Sequence, residues 1–417
     1  MIESLFSPSP AAFLTRDARM WALRGAMFLI LLGAGIFWVY AGVWMRSHGI
    51  GETSIGILMG FGGVLTALAA MFWGWLSDHT GRSTPIVCAG CLFTGVGLIS
   101  LSQSRTIPAF ALSQALVAAG ISATLSVMPL LALAVLGGKK QGAGYGRFRM
   151  FGSAGYMVGL YILAATIQGL QRLLLTAGII MVLGVIPLLL ASVRPLRHLE
   201  RHGLRVVLRR PRFLRFLVAV FFFSWGGPAV FAFLALYAQT PDFSMDQSGI
   251  GRLLGMCGVM AVIALPLVGT LADRLGSRSI LLLSFLAMPL RLLVQAAARS
   301  AFGLYVAQCF HFLTWAGPEV VIYVYVQRLV GERDKGVAVS AYFTTRTVAA
   351  IVANPLIGFF AEHLGFRPMF VIVACISSLG LITFWGLEGR SQDTEHRDQG
   401  TSEGQSQAPV DCAATID

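Results

Sequence analysis

The chain is predicted to be an all-α membrane protein with twelve transmembrane helices in two pseudo-symmetric six-helix bundles. Three observations lead there. Of 417 residues, 56% are apolar and only 12% charged, with a mean hydropathy of +0.75; soluble domains carry about a quarter charged residues. The apolar runs are about twenty residues long, which a helix needs to cross roughly 30 Å of hydrocarbon. A short polar motif also recurs near the same place in each half.

Such a chain cannot cover itself with polar surface, and in lipid only helices or closed barrels satisfy every backbone group. Barrel strands would be about ten residues long with strict alternation, a pattern not seen here. Twelve segments follow, at residues 25–45, 53–76, 85–103, 107–136, 147–168, 173–193, 214–237, 249–271, 280–297, 301–328, 338–361 and 368–387. The first run, from Gly25 to Trp44, is too long for a cleavable signal and is expected to remain as an anchor.

Net charge is +12 and the sequence pI is about 9.9. On a soluble protein that would suggest nucleic acid; here the basic residues sit in loops and set topology, so no nucleic-acid partner is expected. Between segments six and seven stand Arg194, Arg197, Arg201, Arg205, Arg209, Arg210, Arg212 and Arg215 against Glu200. Lys139 and Lys140 follow segment four and Arg82 follows segment two, whereas the 7–8 loop holds Asp242 and Asp246. The positive-inside rule then places both termini and the central loop in the cytoplasm of a cell (inner or plasma) membrane, with lipid as partner. The expected organisation is a bundle at 1–193, a basic linker at 194–213, a second bundle at 214–387 and a disordered acidic tail at 388–417. Five of six cysteines (Cys88, Cys91, Cys257, Cys309, Cys375) lie in apolar runs and are read as small packing residues, with no metal site.

The repeat is Gly74-Trp-Leu-Ser-Asp78-His-Thr-Gly81-Arg82 after segment two and Gly269-Thr-Leu-Ala-Asp273-Arg274-Leu-Gly276-Ser-Arg278 after segment eight. The aspartates stand 195 positions apart (273 − 78), near half the embedded length, as in a duplicated six-helix unit. Gly74 permits close helix contact and Gly81 a tight turn. Asp78 is at a helix end, where a carboxylate can accept from a neighbouring helix start and pair with a base. This pattern resembles the signature of the major facilitator superfamily, apart from Ser277 where an arginine is expected. The resemblance implies that fold, and a gating role for Gly74, Asp78, Gly81, Arg82, Gly269, Asp273 and Arg278.

Segment five opens on Tyr145-Gly146-Arg147-Phe148-Arg149-Met150-Phe151-Gly152-Ser153-Ala154-Gly155-Tyr156. This stretch resembles the proton-coupled symporters of the lactose permease, phenylpropionate permease and nucleoside branch. Arg149, Ser153 and Tyr156 share one helix face; the resemblance implies that Arg149 and Tyr156 contact solute.

Charges inside the second half are costly, about 2.5–3.5 kcal/mol each at midplane, so they must face a cavity or a partner. Arg291 lies in segment nine and Arg346 in segment eleven, while Gln308, His311, Trp315 and Glu319 form one polar stripe on segment ten. Gly317-Pro318 interrupts that helix. By the same resemblance, Arg291, His311 and Arg346 fall where the family keeps its proton-coupling cations. Departures are Thr314 for the coupling glutamate, Gly258 and Pro228 near expected acids on segments eight and seven, and Leu131 near the sugar-binding acid of segment four.

Glu319 is thus the acidic residue well inside a span, and it is expected to alternate between a protonated state and an Arg346-paired state beside His311 and Arg291. The excess of buried cations favours an anionic solute. Phe37, Tyr40, Trp44, Tyr156, Trp225 and Trp315 offer rings for a site; of these Tyr40, Tyr156 and Trp315 are taken as solute-binding, with Ser153 and Gln308.

No Walker loop, no zinc-spaced set and no G-x-S-x-G turn is present, so no enzyme activity and no cofactor are expected. The resulting expectation is a monomeric secondary transporter. It would carry an organic or aromatic anion, or else a sugar or nucleoside, by proton-coupled symport with alternating access. Two alternatives stay open: a proton-driven efflux antiporter of amphipathic compounds, and a non-transporting assembly or helper protein on the same fold.

Overall fold

The computed structural model of the protein describes residues 15–136, 141–191, 204–331 and 334–403. Lys139, Lys140, Arg194, Arg197, Glu200 and Arg201 lie outside the described residues. Among those described, twelve helices are long and apolar enough to span a membrane. They are α1 (Arg16–Ser47), α2 (Glu52–Ser77), α3 (Ser83–Gln103), α4 (Ile107–Leu136), α5 (Gly144–Thr166), α6 (Leu170–Ala191), α7 (Pro211–Ala238), α8 (from Gln247), α9 (to Ala297), α10 (Ala301–Val330), α11 (Lys335–Leu364) and α12 (Phe366–Gly386). The α8–α9 pair runs from Gln247 to Ala297 and divides at Gly276, whose backbone leaves the helix at φ 80°, ψ 154°.

Two helix ends differ from the sequence expectation. α1 begins at Arg16 because the Thr15 hydroxyl accepts from the Ala18 N–H at 3.3 Å, and Asp17 occupies the first turn. The α12 helix continues to Glu403, beyond the span end near 387 read from the sequence.

α1 to α6 form one bundle, in which α3 packs on α4 and α6, and α1 on α5. α7 to α12 form the other, in which α12 packs on α7 and on the α8–α9 pair. Successive spans alternate direction, so the even-to-odd connections, including that between α6 and α7, share one face, here the linker face.

Glycine decides where the bundles meet. Lipid offers no hydrophobic drive between helices, so association rests on close packing. On α2, a Cβ at Gly60 would stand 3.0 Å from the Pro355 ring and one at Gly63 2.9 Å from Ile351, both on α11. On α8, a Cβ at Gly255 would stand 2.5 Å from the Tyr161 ring and one at Gly258 3.0 Å from Met157, both on α5. Gly56 and Gly251 extend the two rows against Asn354 and Leu160. Each row is spaced i, i+4, i+7, and the two share the offset of 195 (251 − 56, 255 − 60, 258 − 63) that separates Asp78 from Asp273. The duplication therefore runs unbroken from the seam to the loop motif.

These contacts lie toward the face opposite the linker, and helix-end hydrogen bonds across the seam fasten them. Glu362 of α11 accepts from the Thr53 N–H at 2.7 Å, serving the start of α2, whose own cap residue Gly51 has no side chain. Gln247 of α8 donates to the carbonyls of Ala164 (3.0 Å) and Ile167 (2.7 Å) at the end of α5. Arg46 of α1 donates to the Leu236 carbonyl of α7 at 2.8 Å. The opposite face is closed.

Candidate functional site: two ionic tiers at the seam

The tier nearer the linker face joins the bundles. Pro318 has no N–H to offer the Thr314 carbonyl, so α10 turns at Trp315 (φ −116°, ψ −56°) and restarts at Ala316. Glu319 stands in the first turn of the restarted helix, where the peptide dipoles favour a carboxylate. Its Oε1 is 3.8 Å from Arg149 Nε of α5, with the two side chains 17% and 22% exposed. Arg346 lies over the ring of Tyr342, 5.6 Å from its centroid, within electrostatic reach of Glu319. In this conformation the ion-pair partner of Glu319 is Arg149, where the sequence reading places Arg346. The stripe on α10 was readable, but the rotation of α5 across the seam was not. Tyr145 and Tyr323 lie within electrostatic reach of the pair.

Toward the opposite face, Arg291 of α9 is completely buried. It donates to Thr314 Oγ1 at 2.9 Å, to Gln308 Oε1 and to Cys257 Sγ at 3.8 Å, and faces His311 Nδ1 at 3.2 Å. A guanidinium only donates, so Nδ1 must accept, and His311 is the neutral tautomer with its proton on Nε2. The His311 ring stacks on Trp315 at 5.7 Å and meets the edge of Phe231. Arg291 and His311 therefore meet, as the family resemblance implies, but Glu319 stands apart from them. Eight residues along α10 (319 − 311) correspond to about 12 Å.

Ser153 and Tyr156 lie buried on the seam side of α5, the Ser153 carbonyl toward Gly258 and the Tyr156 ring against Gly35 of α1. Tyr40 is fully buried and donates to the Gln247 carbonyl at 2.7 Å; here it ties α1 to α8, and its hydroxyl is not presented to a solute. Gln308 is fixed by its own donation to the Leu253 carbonyl at 3.2 Å. Cys257 and Thr314 were missed as ligands of Arg291. Thr314 drew notice only as a departure from pattern, and no sequence signal separates a thiol that packs from one that faces a guanidinium.

Of the residues to which the resemblance assigns gating, Gly81 caps α2 in the left-handed region (φ 61°) and donates to the Ser77 carbonyl at 2.9 Å, as the turn requires. Gly276 breaks the helix between α8 and α9 with a different backbone geometry, at φ 80° and ψ 154°. A Cβ at Gly74 or Gly269 would meet nothing within 4 Å, so the close contact expected of Gly74 is absent in this conformation; the bundles touch elsewhere. Arg82, Asp273 and Arg278 are exposed, and the Asp78 side chain lies outside the described residues.

Two six-helix bundles with charged side chains at their seam are the architecture of a membrane transporter of small solutes. The chain belongs to the Major Facilitator Superfamily, whose sequence profile matches residues 25–353 and 240–410. Among curated relatives, it is 24% identical to the multidrug resistance protein MdtG of Escherichia fergusonii over 82% of this chain and 86% of that one. It is 25% identical to a probable 3-phenylpropionic acid transporter of Escherichia coli K12 over 86% and 94%. In fold it is similar to a mutant of the nucleoside transporter NupG, with a TM-score of 0.77 at 14% identity over 89% of this chain and all of that one.

Proposed function

We propose that this transporter moves an organic anion, with an aromatic carboxylate as the first candidate, together with a proton. The linker face is taken as cytoplasmic, with both termini there, because Arg209, Arg210, Arg212 and Arg215 collect on it while Asp242 and Asp246 lie opposite. The conformation described is then closed to the outside.

The observation carrying the proposal is the Arg149–Glu319 pair with Arg346 beside it. With Glu319 ionised, the three groups sum to one positive charge. Protonating Glu319 releases Arg149 and leaves two. A monoanionic solute restores the balance, so proton and solute each favour the other's binding in a site of low dielectric. A carboxylate also matches the planar donor edge of an arginine. The aromatic-acid relative, matched over 94% of its length, supports this solute class. Sugars and nucleosides follow as solutes.

Similarity to MdtG supports a second reading, proton-driven efflux, in which solute and proton compete for Glu319. A solute panel on right-side-out and inverted vesicles with an interior pH dye separates them. Uptake that acidifies the lumen supports symport, and proton movement against the solute supports the exporter. No pH response to any solute would sink both.

A further inference from the structure

The Arg291 nest holds a whole positive charge with neutral company. Gln308, His311, Thr314 and Cys257 supply its contacts, and no carboxylate among the described residues lies within ion-pair distance. Neutral acceptors offset only part of the cost of burying a guanidinium, which is several kcal/mol. Its Nε has no hydrogen-bond partner, and neither has the buried hydroxyl of Tyr156. Tyr156 comes from the other bundle and lies within electrostatic reach of both Arg291 and Cys257. Each bundle thus brings one unmet buried donor to the region of the nest.

The nest is also built. Gln308 is anchored through Leu253, so its oxygen stays toward Arg291. Thr314 is turned inward by the break before Pro318, and Gly317 seats α10 against Ser284 of α9. A store for a transported proton is a poor fit. His311 already accepts from the guanidinium, and a second positive charge 3.2 Å away would be repelled.

In this conformation the row Gly251, Gly255 and Gly258 closes α8 on α5 over the nest. Opening the opposite face requires those helices to part, which withdraws Tyr156 and uncovers Arg291 to that side. We infer that the Arg291 nest is the anion-loading site of the oppositely opened state: a carboxylate arriving from that face is held by Arg291, with Gln308 and Thr314 positioning the guanidinium. Arg149 and Arg346 receive it from the linker side after the bundles rock. This assignment rests on the anionic-solute reading proposed above.

Cys257, at 3.8 Å from Arg291 Nη2, is a reporter already in place. In the full-length chain with the other five cysteines changed to serine, an impermeant maleimide is applied from the opposite face of right-side-out vesicles. We expect 3-phenylpropionate to slow alkylation of Cys257 and its uncharged amide not to. Arg291→Gln should weaken that protection about tenfold, as loss of a charge-assisted bond implies, and Arg291→Lys should restore part of it. A cooperative thermal unfolding transition of Arg291→Gln, read by tryptophan fluorescence, shows that the variant is folded. Equal protection by acid and amide, protection unchanged in Arg291→Gln, or a Cys257 never alkylated from that face would each overturn the assignment. Failure of symport is read separately, from proton flux in the Glu319→Gln protein, and does not move the alkylation result.

Discussion

Arg149 on α5 and Glu319 on α10 approach to 3.8 Å across the seam between the two bundles, each less than a quarter exposed. Both are anchored on rigid helices of different bundles, so their pairing is coupled to how the bundles sit. A double-mutant cycle with Arg149→Gln and Glu319→Gln, read in thermal unfolding, should give a coupling of about 1 kcal/mol. Additive effects of the two changes would mean the pair contributes no link between the bundles.

Arg149 also contacts the solute in this account. Arg149→Lys keeps a charge but loses the planar fork, so binding of an aromatic carboxylate should weaken by roughly tenfold while binding of its amide changes little. Equal losses for acid and amide, measured by equilibrium binding, would point to a structural role.

The glycine rows should govern the closed face. Gly60→Leu sets a branched side chain where a Cβ already stands 3.0 Å from Pro355. Overpacking costs about 1–3 kcal/mol, and here it falls only on the conformation in which α2 and α11 touch. Reporter cysteines near the outer end of α8 should become tenfold or more accessible from the opposite face. Unchanged labelling would show that α2 can yield without opening.

Glu362 serves the start of α2 from the other bundle. Glu362→Ala should raise the same labelling less than the glycine wedge does, and Glu362→Gln, which keeps an acceptor oxygen, should raise it less still. Equal effects of Ala and Gln would assign the contact to charge alone.

Gly81 and Gly276 both occupy the left-handed region, at φ 61° and 80°. Alanine at either should cost about 1–2 kcal/mol, and the costs should add because the turns lie in separate bundles. Thermal unfolding of the two single variants and the double variant checks this.

The spans were legible in the sequence because span length and lipid chemistry leave few alternatives. The duplicated loop motif carried its turn at Gly81 correctly. Its extension through Gly56, Gly60 and Gly63 to Gly251, Gly255 and Gly258 was also present in the letters, but small residues gain meaning only against a neighbour. The polar stripe on α10 followed from helical spacing, and the association of Arg291 with His311 from the family resemblance. The partner of Glu319 did not, since spacing along one helix says nothing of which face another bundle presents. Tyr40 was read as a ring for a solute for the same reason: its bond to the Gln247 carbonyl spans 207 positions.

Luminal pH in proteoliposomes carrying an inward 3-phenylpropionate gradient, corrected for protein-free vesicles, tests the central claim most directly. Wild-type protein should acidify the lumen as solute enters, whereas Glu319→Gln should exchange labelled for unlabelled solute yet move no protons. Acidification by the variant at the wild-type rate, or a lumen that turns alkaline with the native chain, would contradict the account.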